Sequence, residues 1–162
     1  MVTVRPHLWF ADNNAHEAAA FYAEHVPDSR VRHVLTASDG IPGAEPGEPF
    51  IVEFTVCGLE VVGLNAGPHL RLDEAFSFYL LCDGQDEVDH YWDLLISGGG
   101  RPGQCGWCTD RFGVSWQVIP KQLEELCGDY TTAANQRAMQ AMLQMSKIDV
   151  PTLEAAYADQ PA

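Results

Sequence analysis

The sequence predicts an α+β chain of two tandem βαβββ modules followed by C-terminal helices. Three observations carry this reading. Apolar residues alternate with period two through Phe50, Val52, Phe54 and Val56, the strand signature, whereas Val88, Tyr91, Trp92 and Leu95 recur at helix spacing. The order strand, helix, strands then occurs twice. An offset of 70 residues lays Phe21-Tyr22 on Tyr91-Trp92 and also matches Glu17 with Glu87, Val26 with Ile96, Trp9 with Tyr79 and His7 with Ser77.

Taken in order, Arg5 to Phe10 reads as a first strand. Asn13 or Asn14 then caps a helix to about Val26, with Glu17 placed three residues after Asn14 in a box-like arrangement. "PDSR" closes that helix and Val31 to Thr36 forms the next strand. The Pro/Gly-rich "SDGIPGAEPGEP" is a loop, and the Cys57-Gly58 turn joins the strand at 50–56 to another at Leu59 to Asn65. Ala75 to Cys82 opens the second module, a helix spans Asp86 to Ser97, Gly98 to Gly100 end it, and Val114 to Ile119 is the last strand. Thr132 to Ser146 and Val150 to Tyr157 read as tail helices, with Asp149 and Pro151 starting the second. These elements are expected to form a single domain over 1–162, with module one at about 1–67, module two at about 75–120 and the tail at about 121–162.

Composition narrows the function. At 162 residues, 46% hydrophobic and 20% charged, the chain is long enough for a sizeable core and is not of disordered composition. The formal charge of −14 repels phosphate backbones and anionic lipids, so neither nucleic acid nor a membrane surface is an expected partner. The N-terminal stretch carries no secretory pattern, and no apolar run is long enough to span a bilayer, so a cytoplasmic location is expected. Five irregularly spaced cysteines fit reduced thiols better than a disulfide framework. Cys105-Gly-Trp-Cys108 is no redox pair of the usual kind, because "TDRFG" behind it leads into a strand rather than a helix whose dipole would favour a thiolate. A zinc clasp would need a second ligand pair, which the spacing does not offer.

The stretches "PHLWFADNNAHEAAAFYAEHVPDSR", "VEFTVCGLEVVGLNAGP", "CGWCTDRFGVSWQVIP" and "RAMQAMLQMSKIDVPTLEAAY" resemble the PhnB-like family of the vicinal oxygen chelate superfamily. Its relatives include glyoxalase I, fosfomycin and bleomycin resistance proteins and extradiol dioxygenases, and this branch carries the label 3-demethylubiquinone-9 3-methyltransferase domain. The resemblance implies a glyoxalase-like fold, the two modules curling into a cup-shaped half barrel, usually within a homodimer. It also implies a small organic molecule bound in the cup. The family label offers the alternative of an S-adenosylmethionine-dependent methyltransferase; "SGGGRPG", however, follows a helix and is not the strand-to-helix turn such a nucleotide needs.

In metal-using relatives four inward positions supply ligands, and by strand position they fall here on His7, Gly63, Ser77 and Gln117. Only His7 is a good ligand for a divalent metal, so no metal or other cofactor is expected. His7 is the candidate acid or base, since an imidazole titrates near neutrality. Glu53, an acid inside "FIVEFTV", is either a second catalytic group or a carboxylate on the solvent face of its strand. Alternation puts the aromatic Trp9 and Tyr79 on one face with His7 and Ser77, and Ser115 with Gln117, while Trp116 lies opposite in the core. Asn65 presents an amide to a ligand or serves a turn. The candidate ligand-binding residues are therefore Trp9, Asn65, Ser77, Tyr79, Ser115 and Gln117. Met139, Met142 and Leu143 form an apolar stripe for core or subunit packing.

Overall fold

The computed structural model describes residues 1–159, which divide into two compact units, one over residues 1–73 and the other from Glu74 onward. In the first, β1 (His7–Trp9), α1 (Ala15–His25), β2 (Arg30–Thr36), β3 (Pro49–Val56) and β4 (Leu59–Leu64) form a four-stranded sheet in the order β1-β4-β3-β2. β1 runs parallel to β4 and the other neighbours are antiparallel. Ala15, Ala18, Ala19 and Tyr22 recur at helix spacing and give α1 a fully buried stripe, which packs on β3 with Tyr22 against Phe54. Three alanines in that stripe let the helix lie close to the sheet.

Strand alternation then sorts sheet residues into two sets. Leu8, Val52, Phe54, Val56 and Val61 are buried on the helix side. His7, Trp9, Ile51, Glu53 and Leu64 point the other way and stay partly or fully exposed. The hairpin between β3 and β4 turns on Cys57 (φ 46°) and Gly58 (φ 78°), the type I′ geometry that fits the strand twist. Cysteine is a poor occupant of that left-handed position, where asparagine is tolerated. Cys57→Asn is expected to stabilise the unit by roughly 0.5–1 kcal/mol, read as a raised urea midpoint.

The second unit repeats the plan. β5 (Phe78–Cys82), α2 (Gln85–Ile96), β6 (Arg101–Pro102), β7 (Trp107–Thr109) and β8 (Ser115–Pro120) give a sheet in the order β5-β8-β7-β6, again with its first strand parallel to its last. The 70-residue offset is thus a structural repeat, and Tyr22 and Trp92 are both buried at matching places on their helices. Phe78, Cys108, Trp116 and Val118 are buried on the α2 side. Trp116 is 1% exposed, and its indole N–H donates to Asp110.

The helical tail contains α3 (Lys121–Cys127), α4 (Ala133–Met142) and α5 (Val150–Tyr157). Thr132 and Asn135 form a reciprocal capping box at α4, and Asp149 caps α5 through the Thr152 N–H, with Pro151 in the first turn. Ile119, Leu123, Cys127, Ala138, Ile148 and Leu153 make its core, with Met139 and Met142 packed alongside and Leu143 exposed. The helix expected over 132–146 ends at Met142, because the chain then turns to bond the β6–β7 loop. Met145 and Ser146 carbonyls accept from the Cys105 and Gly106 N–H groups at 2.8 and 2.7 Å. Gln85 clamps the other side, its amide donating to the Ile148 carbonyl and accepting from the Val150 N–H. Among the described residues no helix is long and apolar enough to cross a membrane.

Candidate functional site

The sheet faces turned away from α1 and α2 hold most of the candidate residues. On the second sheet, cross-strand register sets Tyr79 of β5, Gln117 of β8 and Trp107 of β7 in one row. Side chains at registered positions share a face and stand within reach of one another. Gln117 is therefore flanked by two aromatic side chains. Its Nε2 donates to Ser77 Oγ at 2.9 Å, joining two of the candidate ligand-binding residues. The remaining capacity of this pair is an amide carbonyl that accepts, and a second amide N–H and a serine hydroxyl hydrogen that donate. Tyr79 is 49% exposed, large for an aromatic residue in mid-strand, and its phenol donates to Glu124 Oε1 on α3 at 2.7 Å. Its ionisation is pushed well up by burial first and then by that hydrogen bond. Ser115 shares the face one pair further along β8 and is buried. A cavity of about 310 Å³ adjoins Trp107 and Thr109 at the β6–β7 edge.

On the first sheet the corresponding row runs from His7 through Val62 and Glu53 to His33. His7 is exposed. Glu53 is half-exposed and ion-paired with Arg5 at 3.3 Å, so it is a solvated, neutralised carboxylate and not a desolvated base. The Trp9 ring is pinned by its N–H, which donates to the Gly67 carbonyl at 2.8 Å. Asn65 is 2% exposed and its amide serves the fold: Oδ1 accepts the Ala15 N–H at the start of α1, and Nδ2 donates to the Pro49 carbonyl. The helix cap expected from Asn13 or Asn14 thus comes instead from a strand end 50 residues away in sequence, and Asn14 makes no side-chain cap.

The position carried over to Gly63 is on the wrong face. A Cβ there would stand 2.9 Å from the Ala15 Cβ, so Gly63 looks toward α1, and a side chain would push the helix off. The residues in register with His7 and Trp9 are Val62 and Leu64, both apolar. On the first sheet one imidazole among aliphatic side chains, and on the second an amide already bonded to a serine, are each no donor set for a hard or borderline cation. Among the described residues no three His, Cys, Asp or Glu side chains converge. The residues present do not fit a divalent metal.

Cys105 and Cys108 are free thiols. Burial, with Asp110 nearby, pushes Cys108 up to about 12, the reverse of a reactive cysteine. Two contributors to the second sheet's face escape sequence reasoning. Trp107 lies in a three-residue strand too short to show a period, and Glu124 lies on α3, which the sequence reading does not assign.

The family profile described as 3-demethylubiquinone-9 3-methyltransferase matches residues 2–119. Among solved structures, the PhnB protein from Bacillus cereus is 24% identical with a TM-score of 0.64, over 74% of this chain and 99% of its own. Protein PA1353 from Pseudomonas aeruginosa is 22% identical with a TM-score of 0.59, over 74% of this chain and 98% of its own. No curated protein matches. With its duplicated βαβββ sheets and a profile match over most of its length, the chain belongs to the family described as 3-demethylubiquinone-9 3-methyltransferase.

Proposed function

We propose that this PhnB-like protein binds a small organic molecule on the open face of its second sheet. The observation that supports this best is the row Tyr79–Gln117–Trp107 with Ser77 bonded to Gln117. A polar pair with both acceptor and donor capacity to spare, set between two aromatic side chains, orients a flat ligand by hydrogen bonds while the rings supply contact area. Nothing within the fold requires Tyr79 to be exposed, and an exposed aromatic beside a polar pair is the usual look of a binding surface. On the first sheet, His7 and Trp9 form the corresponding imidazole and aromatic pair, and His7 is the candidate catalytic group there. Methyl transfer would need a cradle for S-adenosylmethionine. The strand-to-helix turns, Ala11 to Asn14 and Asp83-Gly84, contain no Gly-rich run to supply it.

Native mass spectrometry of the protein as purified tests this reading. The expected result is a small-molecule adduct on the wild type that disappears in Gln117→Leu, a variant that keeps the volume but removes the amide. An adduct of equal abundance on both proteins, or binding of added S-adenosylmethionine with the Gln117→Leu variant unaffected, would overturn it. A homodimer belongs to the same proposal, and light scattering after size exclusion checks it.

A further inference from the structure

The family match stops at Ile119, and the two solved neighbours are covered almost whole by about three quarters of this chain. The helices after Pro120 lie outside the residues that the family profile matches. They bear directly on the second sheet's open face. Ile119, which alternation puts on the same face as Gln117, is buried in the tail core, so the tail closes one end of that face. One turn into α3, Glu124 accepts a 2.7 Å hydrogen bond from the Tyr79 phenol.

We infer that the helical tail sets the ligand preference of this face, Glu124 being the residue that makes it select organic cations, ammonium compounds above all. The inference rests on the open-face reading given above. The inventory of groups carries it. Because the phenol hydrogen points at Glu124, the phenol oxygen is left as an acceptor, and so is the Gln117 carbonyl, whose amide points at Ser77. The second carboxylate oxygen of Glu124 is a further, anionic, acceptor. Against these stand three neutral donors: the Ser77 hydroxyl, the second Gln117 N–H and the Trp107 indole N–H. What separates ligands here is charge: a positive N–H head meets the Glu124 carboxylate, and an anionic head is repelled by it. Tyr79 and Trp107 offer ring faces to the same positive group. Two cations lie nearby. Arg101 is one row further along at the far edge strand, and Lys121 is ion-paired with Asp83 at 3.4 Å. The chain charge of −14 attracts cations at long range.

Three probes with one ring and different heads separate the possibilities: benzylammonium, benzyl alcohol and benzoate, titrated into the full-length protein at neutral pH and followed by amide and indole NMR shifts. Benzylammonium is expected to bind about tenfold tighter than benzyl alcohol, from a half-exposed ion pair plus cation–π contact, and benzoate not measurably. In Glu124→Gln the ammonium preference should shrink by about fivefold while benzyl alcohol affinity stays within twofold, and Glu124→Asp should recover part of it. The phenol supplies a readout independent of ligand: Tyr79 should ionise at lower pH in Glu124→Gln, seen as an ultraviolet difference titration against Tyr79→Phe. If benzyl alcohol binds as tightly as benzylammonium at these residues, the role of Glu124 is overturned and the open-face reading stands. If none of the three probes shifts Ser77, Tyr79, Trp107 or Gln117, both fall.

Discussion

Asp110→Ala is expected to destabilise the second unit by about 3–5 kcal/mol, the largest effect of any single polar substitution considered for this protein. Asp110 is 3% exposed and accepts from three donors: the Phe112 and Val114 N–H groups at 2.9 and 3.0 Å through Oδ1, and the Trp116 indole at 2.9 Å through Oδ2. Those bonds shape the turn that feeds β8 and fix the largest side chain of the core. Removing the carboxylate leaves buried donors without partners, and each costs about 1–3 kcal/mol. Asp110→Asn keeps one oxygen for the two backbone donors but turns an amide N–H₂ toward the indole, so a smaller loss of roughly 1–2 kcal/mol is expected. Urea unfolding followed by tryptophan fluorescence checks both. A loss below 1 kcal/mol in the alanine variant would show that water replaces the carboxylate at no great cost.

The second large effect is at Gly106, in the loop on which the tail docks. Its φ is +82°, and an added Cβ would meet Ile119 Cδ1 at 2.8 Å, the Val118 carbonyl oxygen at 3.0 Å and Ile148 Cγ1 at 3.1 Å. Gly106→Ala thus combines left-handed strain with overpacking where sheet and tail meet, for an expected loss of about 2–4 kcal/mol. Gly113 is the control. It has φ +86° with nothing within 4 Å of an added Cβ, so Gly113→Ala isolates the backbone component at about 1 kcal/mol. Because the clash falls on the tail contact, Gly106→Ala should also expose the tail to limited proteolysis before the sheet unfolds. Equal losses at the two glycines would mean that the tail yields freely.

The fold is legible in the sequence where long, regular patterns occur. The period-two run in 50–56, the apolar stripe of α2 and the 70-residue offset each reflect packing demands that repeat along the chain, and the structure returns them as β3, α2 and a duplicated sheet order. What stays hidden is short or non-local. β6 and β7 have two and three residues, too few for a period. Asn65 caps a helix that begins 50 residues earlier, and no local pattern announces such a partner. The placement of Gly63 fails because one residue of register exchanges the two faces of a strand. Its true environment against Ala15 explains why glycine stands there: α1 packs too close for a Cβ. Ser77 is legible through the repeat, which lays it on His7, and Gln117 through the family resemblance, which puts both among the inward positions. The pair's aromatic neighbour Trp107 and the carboxylate of Glu124 become visible only once β7 and α3 are in place.

The open face of the second sheet as a ligand surface is tested most directly by mapping amide and indole NMR shifts while a library of small aromatic compounds is added to the full-length protein. Shifts centred on Ser77, Tyr79, Gln117 and the Trp107 indole, and absent from Gln117→Leu, are the result that a binding row across β5, β8 and β7 predicts. Shifts that gather instead on the α2 side of the sheet, or that survive loss of the Gln117 amide unchanged, would contradict it.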